Sequence, residues 1–280
     1  LPVAKNATLA SVKAYGEDLY EKTFLEAMVY GDLEEKDANG VVDLFKQKTQ
    51  TEGVARDEVF DLQYLSIENP EDIQYSTKLL VNNSCFFREY MVGKDSPDLR
   101  AKVKIIGAAI QQPFYTEMRT NQQLGYIVWS YSSAKDETHF LSFLIQSGVY
   151  PADELDKRAG EFLLSSTNIL KEMDDEMFQQ LIKSEIEKLE RLPKSIAERS
   201  RMLKTLIFEH DADYKRDNKT IAALKNLNKN DVVELMETIF SPESRKMINV
   251  LTFAENHKDK TGIKNSFDSL EDWKSLRVYQ

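Results

Sequence analysis

Apolar residues in the middle of the chain recur at three- and four-residue steps: Leu99, Val103, Ile106, Ile110, Phe114 and Met118. A stripe at that spacing lies on one side of a helix, so an amphipathic helix facing a core is expected over Pro97–Met118. Ser96 suits its N-cap and Pro97 its first position. Pro113 inside the pattern predicts a kink or an early stop. Before this helix, three runs have strand-like composition: Val59–Ile67, Ile73–Val81 and Ser84–Val92. Turn-forming residues separate them, Glu68 to Glu71 around Pro70 and then Asn82-Asn83. After it, Gly125–Tyr131 and His139–Ser147 are rich in aromatic and branched residues and predict two more strands.

The flanks follow the same logic. Leu25–Tyr30 is a short apolar run closed by Gly31-Asp32, which predicts a buried strand and turn. Asp32 is placed to cap a following helix whose apolar face is Val41, Val42, Leu44 and Phe45. Polar residues dominate Lys46–Glu58, the candidate linker between domains. Beyond Pro151 the pattern is mostly helical. One helix starts there, and another carries Met177, Phe178, Leu181, Ile182, Ile186 and Leu189 on one face. Two more run from Ser195 towards Phe208 and from Asn230 to Phe240. Met247–Phe253 predicts a last strand that returns to the sheet, and the tail beyond Asn256 is polar. Strands around a crossing helix, followed by a helical layer, make an α+β fold. A mixed, mainly antiparallel sheet with helices packed on one face is expected.

Composition narrows the function classes. With 41% hydrophobic and 30% charged residues over 280 positions, the chain has the makeup of a folded protein with a substantial core. Its formal net charge of −10 argues against a general nucleic-acid binder, which needs a basic surface for phosphates. No apolar run reaches the roughly 20 residues of a membrane-spanning helix. Cys85 is the only cysteine, so no intrachain disulfide is possible, which fits the cytosol and an exported, periplasmic protein equally. The chain starts at Leu1 without a basic-then-apolar leader, and it reads as a piece of something longer.

The usual signatures of catalysis are missing. The sequence has no glycine-rich phosphate loop and no Gly-x-Ser-x-Gly elbow. His139, His210 and His257 are far apart, without the paired spacing of zinc-binding helices. Glu209 to Asp213 surrounds His210 with carboxylates, but a solvated helix end is the simpler reading. Cys85 reads as a small buried apolar residue. Asp174-Asp175 reads as a helix start, where the helix dipole favours acidic groups.

One segment stands out, Gln112 to Val128. Here a helix ends in a polar turn and Gly125 opens a strand, so Arg119 and Tyr126 lie at the two ends of one connection. Arginine offers a permanent charge and rigidly arranged donors for carbonyl or carboxylate oxygens. A tyrosine hydroxyl can donate to a developing oxyanion. On residue chemistry alone the plainer roles come first, Arg119 capping helix carbonyls and Tyr126 packing with its hydroxyl at a surface.

The stretch Arg119-Thr120-x-x-Gln123-Leu124-Gly125-Tyr126-Ile127-Val128, preceded by Pro113-Phe114, resembles the signature in the C-terminal half of pitrilysin/insulysin (insulin-degrading-enzyme-like) zinc metallopeptidases. The surrounding order agrees: Leu25 to Asp32, Leu144 to Ser147, Phe178-Gln179 and Asp213 to Asn218 resemble family segments in sequence. The likeness runs from about Phe24 to about Ala254. It implies the metallopeptidase-like LuxS/processing-peptidase fold, with residues 1–58 ending one homologous domain and 59–280 forming the C-terminal one. It also implies a zinc-dependent endopeptidase whose two halves enclose a chamber and degrade peptides inside it. Zinc is then a cofactor of the parent enzyme, held through His-x-x-Glu-His in an N-terminal catalytic half, and that motif occurs nowhere in this chain. The expected partners are peptide substrates and that N-terminal half. This chain would supply Arg119 and Tyr126 as substrate-binding groups, with Tyr126 also the catalytic oxyanion donor, and would be inactive alone. The alternative is a non-catalytic scaffold or peptide-binding subunit of the same fold.

Overall fold

The centre of the molecule is a five-stranded sheet, built from β3 (Glu71–Lys78), β4 (Ser84–Lys94), β5 (Ile127–Lys135), β6 (Thr138–Ser147) and β7 (Lys246–Phe253). Its order is β3-β7-β4-β6-β5. In this computed structural model, the residues described are 5–59, 64–135, 137–260, 265–267, 269–275, 277 and 279. β4 pairs antiparallel with both β6 and β7, and β5 antiparallel with β6, while β3 runs parallel to β7. The last strand therefore enters the sheet interior. A strand paired on both edges and packed on one face alternates strictly in burial, and β7 does so along its whole length.

Alternation also decides which face is covered. Phe86, Tyr90, Phe143, Ile145 and Leu251 share one face by register and are all buried. Three helices close over them: α3 (Pro97–Tyr115), α4 (Ala152–Ser165) and α9 (Lys229–Phe240). Ser96 caps α3 as expected, accepting a hydrogen bond from Leu99 N at 3.1 Å. The aromatic rings meet edge to face, Phe114 on Phe143 at 5.1 Å and Tyr90 on Phe240 at 5.0 Å between centroids. That arrangement sets the positive ring edge against the negative ring face. The helical layer continues with α5 (Thr167–Glu172), α6 (Asp175–Glu190) and α8 (Arg216–Lys225). Asp174 caps α6 by accepting from Met177 N at 2.7 Å.

The chain forms two compact units. One comprises residues 1–63 and 193–212, the other 64–192 and 213–280. The first holds α1 (Leu9–Glu21), α2 (Glu35–Thr49), α7 (Ile196–Glu209) and a two-residue parallel pairing of β1 (Lys22–Thr23) with β2 (Glu52–Gly53). None of its three helices has a buried residue.

Here the structure corrects several sequence expectations. Leu25–Tyr30 is not a buried strand: its residues form no ladder, and Leu25, Val29 and Tyr30 are exposed. A strand needs a neighbour's backbone groups, and among the described residues of this unit the available edge, Glu52–Gly53, is taken by Lys22–Thr23. The N-cap of α2 is Glu34 in place of Asp32, with Glu34 N donating to Asp37 Oδ2 at 3.3 Å. Within Lys46–Glu58, α2 runs through Thr49 and a 3₁₀ turn covers Arg56–Glu58. Four of the nine residues of Val59–Ile67, 60–63, lie outside the described residues. Leu65 within it makes an isolated antiparallel bridge to Tyr279.

Candidate functional site

The connection from α3 to β5 carries the two residues singled out above. Pro113 does not stop α3 at once. The helix continues to Tyr115 and then widens into a π-helical turn over Thr116–Asn121. Gln122 N reaches back to Glu117 O at 2.9 Å, a five-residue step, and Leu124 N to Met118 O at 2.9 Å. Glu117 knits the turn, its carboxylate accepting from Asn121 Nδ2 at 2.7 Å and Gln122 Nε2 at 2.9 Å. Those two hydrogen bonds hold its carboxyl below the usual range.

Two apolar side chains anchor this polar turn. Met118 and Leu124 are fully buried in the core. Gln123, between these two anchors and directly before Leu124, adopts a left-handed backbone, φ 51°. Gly125 follows, packed against β6 so tightly that a Cβ there would lie 2.1 Å from Gln146 O. Only glycine permits that approach. The outcome is a fixed geometry for a half-buried cation and an exposed phenol. The Arg119 guanidinium lies 5.3 Å from the Tyr126 ring centroid, and Tyr126 is 85% exposed. Neither side chain has a hydrogen-bond or ion-pair partner among the described residues. A cation stacked on a phenol, both otherwise unengaged, forms a surface with donors left over for a ligand's oxygens.

The other candidates are built into the fold. His139 in β6 is buried, with Nε2 2.6 Å from Asp95 Oδ1. Asp95 also accepts from Arg100 at 2.7 Å and from Arg216 at 2.8 and 3.1 Å. Burial opposes its ionisation, but hydrogen bonds from Arg216 and His139 and the nearby Arg100 charge outweigh that and hold its pKa below the ordinary value. His257 is buried as well, paired through Nδ1 with Ser84 Oγ at 2.9 Å, and Ser84 Oγ accepts from Ala254 N. Nothing in its polar sequence neighbourhood signals this. Residues 209–213 close α7, with Asp211 and Ala212 in the left-handed region. Cys85 is half-buried, and that burial raises its thiol pKa. No group of three or more His, Cys, Asp or Glu among the described residues is arranged to hold a metal ion, so zinc does not fit these side chains.

Residues 105–204 match the model of the C-terminal lobe domain 4 of PqqF-like PQQ synthases. The chain is 25% identical to mouse insulin-degrading enzyme over 95% of its own length and 27% of that enzyme. It is 22% identical to the nardilysin-like protein of Arabidopsis thaliana over 88% of its length and 25% of that protein. It thus spans about a quarter of the length of these relatives. The crystal structure of pitrilysin superposes over 99% of the chain and 30% of pitrilysin, with a TM-score of 0.78 at 17% identity. In sequence the chain is similar to part of insulin-degrading enzyme and to a PqqF-like C-terminal lobe domain, and in fold to part of pitrilysin.

Proposed function

We propose that this chain is the substrate-enclosing C-terminal part of a zinc metalloendopeptidase that degrades peptides in a closed chamber. Residues 1–58 end a preceding homologous domain, and 59–280 form the last one. Zinc and the residues that hold it belong to an N-terminal half outside this chain, and the chain alone is inactive. Arg119 positions a backbone carbonyl of the bound peptide. Tyr126 donates a hydrogen bond to the oxygen on which charge develops as the peptide bond is attacked.

The observation that carries this reading is the half-buried Arg119 stacked on the exposed Tyr126 ring, both without another partner among the described residues, on a connection pinned by buried Met118 and Leu124. A residue kept only for packing has no need of such an exposed phenol. The second reading, a non-catalytic scaffold or peptide-binding subunit, draws support from a Pseudomonas fluorescens structure described as a peptidase M16 inactive domain. That structure matches 88% of this chain with a TM-score of 0.54. Kinetics on the complete enzyme separate the two. Arg119→Ala and Tyr126→Phe should each lower kcat/KM with fold and metal content unchanged, and wild-type turnover in both refutes the assignment.

A further inference from the structure

β5 is the outer strand of the sheet, and among the described residues no strand pairs with its free edge. Alternate residues of β5 therefore turn backbone N–H and C=O groups away from β6, an open template for another strand. Three hollows run along this edge. The first, about 480 Å³, lies between Tyr115 on α3 and Val128 to Tyr131. The second, about 210 Å³, shares Gln111, Ser130 and Tyr131 with it and reaches Lys104 and Ser132. The third, about 200 Å³, continues from Lys104 and Ser132 to Arg100 and Arg216. Each is walled by consecutive β5 residues, which belong to both faces of the sheet, so the hollows follow the edge. Together they make one groove, about 20 Å long at the usual rise of an extended chain.

We infer that this groove binds an extended peptide as a sixth strand on β5, with an acidic side chain at the Lys104 end. The inference rests on the proposed peptide-binding role of Arg119 and Tyr126, because Tyr126 immediately precedes β5 and a peptide held there runs straight into the groove. The near end offers aromatic surface, with Trp129 60%, Tyr131 45% and Tyr115 44% exposed. Ser130 lines the groove, its Oγ buried and without a hydrogen-bond partner. The far end is positive in a protein of net charge −10. Arg100, Arg216, Lys104 and Lys188 gather there against the carboxylates of Asp95, Asp217 and Glu185; Lys188 pairs with Glu185, and Lys104 has no ion-pair partner among the described residues. Ladder hydrogen bonds give affinity in this mode and side-chain pockets give selectivity.

The test is titration of the chain with a fluorescent ten-residue peptide of alternating Thr and Val bearing a Glu at each end. Two variants of the peptide accompany it, one with Gln for Glu and one N-methylated at alternate amides. N-methylation should weaken binding on the order of tenfold or more, since it removes several ladder donors. Gln for Glu, or Lys104→Gln, should weaken it about two- to fivefold, as for a solvent-exposed ion pair. Trp129→Ala should cost about tenfold, as for an aromatic anchor. Amide exchange should slow at alternate residues of β5 when peptide is bound. Equal affinity for the N-methylated peptide, or unchanged β5 exchange, overturns the groove. Binding that depends on Arg119 but not on Trp129, Lys104 or N-methylation sinks the groove and leaves the Arg119–Tyr126 reading intact. The opposite pattern sinks that reading and keeps the groove. Slowed β5 exchange without peptide, accompanied by a concentration-dependent dimer in sedimentation, assigns the edge to a second copy and overturns the peptide.

Discussion

Gly125 and Gln146 approach so closely that a methyl group at position 125 would lie 2.1 Å from the Gln146 carbonyl oxygen and 2.9 Å from its carbon. This contact fixes where β5 starts against β6, and with it the position of Tyr126. Gly125→Ala must push the start of β5 away from β6, since the obstacle is backbone. A destabilisation of about 1–3 kcal/mol is expected, as for overpacked interiors, measured as a lower denaturation midpoint. An alanine variant as stable as the parent would show that the connection is loose.

Asp95 holds together α3, β6 and α8 through Arg100, His139 and Arg216. Its pKa is lower in the folded chain than the ordinary value of 3.8. The unfolded chain therefore binds more protons near that pH, and stability falls as pH drops. The contribution of Asp95 is complete above its unfolded pKa and disappears as pH passes below its folded one. Asp95→Asn should cost about 3 kcal/mol near pH 7, because it strands buried cations. The gap between wild type and variant should then close in acid below the ordinary Asp range. Denaturation curves at a series of pH values give both; a pH-independent gap contradicts the ionic account.

Much of this fold is legible in the residue pattern because the second unit follows two simple periods. The stripe from Leu99 to Met118 recurs at helical spacing, and the alternation in Met247–Phe253 is that of a half-covered strand, so burial alone specifies them. The first unit failed on the same rules. Leu25–Tyr30 has strand composition, but composition does not supply a partner edge, and the segment lies unpaired. The candidate site divides in a similar way. The Arg119–Tyr126 connection is readable because helix end, turn and glycine are contiguous. The buried roles of His139 and His257 arise from Asp95 and Ser84, remote in sequence. No local spacing announces such pairings. Helix α8 escaped the pattern because its polar sequence leaves just Thr220, Ile221 and Leu224 buried.

Metal binding gives a direct reading on the division of labour. Stoichiometric zinc needs three protein ligands at short distances, and the described histidines are separated, two of them engaged with Asp95 and Ser84. Equilibrium dialysis of this chain followed by elemental analysis should return no tightly held zinc and no peptidase activity. One zinc per chain, with activity lost on chelation, would move the catalytic centre into this part of the protein.

The stacking of Arg119 on Tyr126 makes a sharper forecast than either residue alone. Tyr126→Phe keeps the ring and removes the hydroxyl, so Arg119 stays in place and only the donor is lost. If that donor meets the transition state, kcat should fall on the order of a hundredfold with little change in KM. Tyr126→Ala also removes the platform that holds the guanidinium, so KM should rise in addition. Arg119→Ala should raise KM by itself, because a carbonyl contact made in the ground state is lost. The double variant should then fall short of additivity by about 0.5–1 kcal/mol, the worth of an exposed cation–π contact. If the pair merely caps and packs, Tyr126→Phe is nearly silent, Arg119→Ala shifts the thermal midpoint instead of KM, and the cycle closes additively. Measuring kcat and KM for these four variants of the complete enzyme, with metal content and fold verified for each, distinguishes the outcomes.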